Sequence, residues 1–141
     1  MRNPINSVLI LIMALLLSSC GGGGSTSGDP LGTDTITISA SVTSLNAGGK
    51  SIIKATVKKT TGTLVTGRSV TFSFRTNNSG GTIGVENDET QGNGEAIAIY
   101  TAGSNSPLNS VQDIIQVSLS NDSTDNVMIT RVAGVSPPSS P

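Results

Sequence analysis

The stretch KSIIKATVKK, residues 50–59, decides the fold. Ile53, Ala55 and Val57 fall on one side of an extended chain, and Lys54, Thr56 and Lys58 on the other. Alternation with a period of two is the mark of a strand with one face buried and one in water. The same period recurs on either side. TITISASV places Ile36, Ile38, Ala40 and Val42 on one face. SVTFSFRT does so with Val70, Phe72 and Phe74, and DIIQVSLS with Ile115, Val117 and Leu119. GEAIAIYT alternates Ile97 and Ile99 against Ala96, Ala98 and Tyr100. NVMITRVAG offers Val127 and Ile129, then loses its phase at Arg131 and Val132, where a bulge would reset the register. Segments rich in Gly, Asn, Asp and Ser separate these runs, as turns require. No helical periodicity competes after residue 34.

Strands with one apolar face each must pair into two sheets, so the expected class is an all-β sandwich of about seven strands. Its core would be aliphatic, with Phe72 and Phe74 as its only large apolar rings. The chain has 1 Cys and no Trp. An inter-sheet disulfide with a Trp packed on it, as in antibody domains, is therefore excluded.

The N-terminal part has a different composition. Arg2 precedes the unbroken apolar run VLILIMALLL, residues 8–17, and Ser18, Ser19 and Cys20 follow. Charged, apolar and small residues in that order form a secretory signal. The run is shorter than the roughly 20 residues that span a bilayer. Next comes GGGGSTSGDPLGTD, which has little to bury and is expected to act as a flexible linker with a reach of roughly 20 Å. The tail VSPPSSP reads as disordered. The expected organisation is a signal peptide at 1–19, an anchor and linker at 20–33, one domain at 34–134 and a tail at 135–141.

Two resemblances sharpen this reading. LSSC, Leu17 to Cys20, resembles the lipobox of bacterial lipoproteins. The resemblance implies cleavage between Ser19 and Cys20, a lipid on the Cys20 sulfur, and hence a membrane partner. Several acyl chains anchor well, since each buried CH₂ adds about 0.8 kcal/mol. Gly21 stands where Asp tends to retain such proteins in the inner membrane. By resemblance, this points to the outer membrane of a Gram-negative bacterium. The second resemblance rests on Ser44, Leu45, Ala47, Gly49, Lys50 and Ser51, then Ala55 to Val57, then Gly67, Val70, Thr71 and Phe72, and TQGNGEA at 90–96. In these positions the chain resembles bacterial immunoglobulin-like domains of the invasin/intimin type, group 1. The chain departs from that pattern at Leu64, where Pro is common, and in NSPLNSVQD, which is longer than a simple turn.

Composition narrows the function. The chain carries 8 Lys and Arg against 9 Asp and Glu, a net charge of −1, with no basic patch for nucleic acid. It has no His. Glu86, Asp88 and Glu89 in VENDET could in principle do acid–base work, but a solvated loop explains them. Asp122 and Asp125 in NDSTDN offer oxygen donors of the kind calcium takes. Their spacing is not that of an EF-hand, and turn chemistry accounts for them too, so no metal or cofactor is assigned. Arg68 reads as a polar loop residue. The expected function is non-catalytic: a cell-envelope lipoprotein whose domain is a spacer, adhesion or protein-binding module. The alternative is a carbohydrate- or matrix-binding accessory module, which wants an exposed aromatic row; Tyr100 is the candidate.

Overall fold

The structure, a computed structural model, describes residues 34–134. These residues contain strands and turns and no helix. Eight strands follow in order: β1 (Asp34–Ala40), β2 (Ser44–Leu45), β3 (Lys50–Lys59), β4 (Thr71–Asn77), β5 (Thr82–Asn87), β6 (Glu95–Thr101), β7 (Val111–Ser118) and β8 (Thr124–Arg131). They form two four-stranded sheets, β1-β3-β6-β5 and β2-β8-β7-β4. All pairings are antiparallel except the short parallel contact of β2 with β8.

The alternation in β3 sets the inner face as expected: Ile53, Ala55 and Val57 are fully buried. Ile115, Val117 and Leu119 do the same from the facing sheet. β6 resolves its two sets by burying Ala96, Ala98 and Tyr100 and leaving Ile97 and Ile99 half-buried outside. Small side chains at 55, 96 and 98 leave room for larger ones from the other sheet, as close packing demands. Phe72 touches both halves of the core and is half-buried, while Thr71 is exposed. Phe72→Ala should therefore cost about 2–3 kcal/mol, below the full core value because part of the ring is already in water. Thr71→Ser should change stability by at most about 0.5 kcal/mol. Urea titration of both variants checks the register; equal losses would contradict it.

Two expectations change. Val42 does not continue the face of Ile36 and Ile38; it is 43% exposed. The chain leaves the first sheet after Ala40 and crosses to the second at β2. The crossing is pinned by Ser51, whose hydroxyl donates to the Val42 carbonyl (2.7 Å) and accepts the Val42 N–H (3.1 Å). No bulge interrupts β8 either, since its pairing with β7 runs unbroken to Val111 and Arg131. Arg131 keeps the inward phase of Val127 and Ile129 and is 1% exposed. The expected sandwich of about seven strands has eight, the two without a legible alternation being β2 and β5. β5 is the short run TIGVEN, with Gly84 in its centre and a register shift between Val85 and Asn87. The TQGNGEA turn depends on glycine. Gly94 has φ +70°, and a Cβ there would meet Leu64 and the Val57 carbonyl. Leu64, the departure from the family pattern, covers this turn.

Candidate functional site

At the end of the sandwich where β6 stops and β7 begins, four segments meet. Tyr100 ends the inner row of β6, Asp113 begins that of β7, and Ser79 lies in the β4–β5 turn; all three are 0% exposed. Asp113 is in phase with Ile115 and Val117, so the strand itself drives a carboxylate inward. A buried carboxylate must be hydrogen-bonded, and this one is. Its Oδ1 accepts the Ser79 N–H at 2.9 Å. Its Oδ2 accepts both the Ser79 hydroxyl and the Tyr100 hydroxyl, each at 2.5 Å. Ser79 Oγ in turn accepts the Gly103 N–H at 3.0 Å. Gly103 is obligatory, since a Cβ there would lie 2.1 Å from the Ser79 carbonyl oxygen. Burial, and then the hydrogen bond to Asp113, push the Tyr100 hydroxyl up to about 12. Phe74 packs edge-on against the Tyr100 ring.

Beside it, the Arg131 guanidinium donates to the carbonyls of Val132 (3.0 Å), Ser106 (2.6 Å) and Asn105. Those last two belong to the long stretch NSPLNSVQD. Its length has a purpose: it wraps the strand end. Gly134 N–H donates to the Pro107 carbonyl at 2.7 Å, and Ala133 N–H to the Ser110 hydroxyl at 3.0 Å.

The opposite end is fastened differently. Arg68 forms an ion pair with Asp34, which is 5% exposed. Its carbonyl accepts the Thr90 N–H and its own N–H donates to the Thr90 hydroxyl, each at 3.0 Å. Arg68 is thus a fastener of the first strand rather than a plain loop residue. Asp122 and Asp125 are not brought together. Asp122 is exposed at φ +64°, closing a three-residue hairpin loop after Leu119. Asp125 is spent on the backbone: Oδ2 accepts the Ile38 N–H at 2.9 Å and Oδ1 the Asn126 N–H at 2.9 Å. Among the described residues no group of three or more His, Cys, Asp or Glu is placed to hold a metal. Glu86, Asp88 and Glu89 are exposed on β5 and the turn after it. An open groove of about 330 Å³ lies over Ser39, Ala40, Ser41, Ile52 and Lys54. Lys54 there is paired with Glu95 at 3.1 Å. Cys20 and the Ser19–Cys20 bond lie outside the described residues.

The buried side chains of Asp113, Ser79, Tyr100 and Arg131 are engaged in hydrogen bonds that join loops to strand ends. The Tyr100–Asp113–Ser79 cluster is sealed, so no substrate reaches it. Tyr100 offers no surface to a sugar, and the carbohydrate-binding alternative loses its candidate platform. Sequence reading singled out neither Asp113 nor Ser79, although a polar residue in phase with buried neighbours was the available signal.

Lettered in chain order, the sheets read A-B-E-D and A′-G-F-C, the arrangement of an immunoglobulin-like β-sandwich. Solved structures share it. The Escherichia coli adhesin FdeC aligns with a TM-score of 0.57 at 19% identity, over 71% of this chain and 31% of that one. The Yersinia pseudotuberculosis adhesin InvE gives 0.58 at 16% identity, over 70% and 32%. Surface layer protein SbsC, domains 1–6, gives 0.51 at 19% identity, over 73% and 13%. The chain thus spans less than a third of each of these structures, and at such identities the likeness is one of fold. No family model matches the sequence, and no curated protein matches it.

Proposed function

We propose that the chain is a non-catalytic cell-envelope lipoprotein. Cys20 carries the lipid after cleavage behind Ser19, residues 20–33 are the tether, and residues 34–134 form a spacer, adhesion or protein-binding module of the invasin/intimin kind. The observation that carries the domain's part is the use of its polar groups. The buried ones are spent on holding loops and strand ends, in a sandwich shared with two adhesins and a surface layer protein. The anchor's part rests on the apolar run and LSSC. The partner is an envelope or extracellular protein, and the membrane is the outer one of a Gram-negative cell.

Cys20→Ala should abolish incorporation of labelled fatty acid and leave an uncleaved precursor. Equal labelling of the mutant, or release of the wild type from membranes by high salt, would overturn the anchor. Co-purification from crosslinked envelopes tests the module. Tethering raises effective concentration, so the lipidated form should retain partners that the Cys20→Ala form loses.

A further inference from the structure

The chain enters the sandwich at Asp34, beside Lys59 and Asn121, and leaves it at Gly134, beside Pro107. These are opposite ends. β1 and β8 run in the same direction between them, and three features hold β8 along its length: to β1, then to the β2 segment that continues the entering chain, then to the stretch after β6. Near the entry, side chains of the hairpin before β8 and of its second residue reach the free edge of β1 at every second position. Asn121 Nδ2 donates to the Asp34 carbonyl (3.1 Å), Ser123 Oγ accepts the Ile36 N–H (3.3 Å), and Asp125 Oδ2 accepts the Ile38 N–H (2.9 Å). Near the exit, the backbones bond directly: Thr130 N–H to the Thr43 carbonyl and Val132 N–H to the Leu45 carbonyl, both at 2.8 Å. Past the exit, the wrapping stretch holds residues 131–134 through Arg131, Ala133 and Gly134.

We infer that this seam is a mechanical clamp, and that the domain's further function is to transmit tension between its two ends without unfolding. A pull on Asp34 and Gly134 acts along β1 and β8. The bonds between adjacent strands lie across the strand direction. Such a pull loads the seam in shear, so its bonds must give way together rather than one after another. The side-chain stitches extend this to the half of β8 that β2 is too short to cover. They also satisfy an edge that would otherwise be open to pairing with other chains. The inference rests on the described geometry and does not require Cys20 to be lipidated.

Single-molecule pulling tests it on the full-length chain made in a cell-free system, where Cys20 keeps its thiol as one handle. The second handle is Ser136→Cys for an end-to-end pull. For the contrast it is Asp122→Cys, which places both handles at the entry end and peels the seam open bond by bond. Forced unfolding reads the unfolding barrier, and the end-to-end force should exceed the peeling force by about twofold or more. Asp125→Ala and Ser123→Ala should each lower the end-to-end force and leave the peeling force nearly unchanged. Ile83→Ala, a core change on β5 at the edge of the first sheet farthest from β1, should lower the urea midpoint and move the end-to-end force less than Asp125→Ala does. Equal forces in the two geometries would overturn the clamp. So would end-to-end losses that follow urea stability alone across the three variants.

Discussion

Asp113→Ala will remove about 4 kcal/mol of unfolding free energy, enough to unfold a marginal domain. The carboxylate accepts the Ser79 N–H, the Ser79 hydroxyl and the Tyr100 hydroxyl, all in a site sealed from water. Alanine leaves three donors without it. The two hydroxyls stand 3.3 Å apart and can satisfy one another in part. That leaves about two orphaned donors at roughly 1–3 kcal/mol each, in addition to a small cavity. Asp113→Asn keeps the shape and one carbonyl acceptor, and its amide donors can meet hydroxyl oxygens. It should lose only about 1–2 kcal/mol. Urea unfolding followed by tyrosine fluorescence measures both, since Tyr100 is the only tyrosine and there is no tryptophan. Equal losses in the two variants would mean that charge, not the set of acceptors, holds the loops. A loss under about 1 kcal/mol for alanine would mean the network is not closed.

The sandwich was legible because apolar alternation is a property of the strand itself. In β3 and β7 each buried aliphatic residue could be named from spacing alone. What escaped was any strand too short or too polar to show a period. β2 is two residues long, and β5 carries a glycine outside and one acid, Glu86, near its end. Polar residues in the inward phase misled in the same way. Arg131 looked like a break in the pattern, yet it continues the row of Val127 and Ile129, because the Asn105 and Ser106 carbonyls of a distant loop receive its donors. Asn121, Ser123 and Asp125 share that row further upstream. They sit where the inner face meets the edge of β1, so hydrogen bonds replace apolar contact there. Turn propensity explains Asp122 and says nothing of Asp125. The long stretch after β6 could be recognised as unusual in length. Its role depends on β8 ending beside it, a contact that no local pattern encodes.

Alkaline pH should unfold the domain through Tyr100, and Tyr100→Phe should remove that sensitivity. Burial, then the hydrogen bond to Asp113, raise the phenol from its ordinary 10.0 to about 12, while the Arg131 charge pulls weakly the other way. A raised folded value means that the native state holds the proton more tightly than the unfolded chain does. The associated stability is therefore complete below pH 10 and is lost as pH climbs towards 12. Across that window the loss is about 3 kcal/mol, and above it the curve flattens. Physically, ionising the phenol would place a second negative charge against the Asp113 carboxylate in a site closed to solvent. Tyr100→Phe gives up one hydrogen bond, about 1 kcal/mol at neutral pH, because Asp113 keeps both Ser79 donors. Unfolding free energies of the two proteins, measured in urea across the alkaline range, should therefore converge and then cross. Subtracting one curve from the other cancels every other titrating group. Tyrosinate absorbance of the folded wild type gives an independent reading, since it reports a single phenol. If that absorbance rises at the ordinary value while the protein stays folded, Tyr100 is open to solvent and the sealed network is wrong. If the two stability curves run parallel, the phenol titrates alike in both states, and its position beside Asp113 contributes nothing to alkaline unfolding.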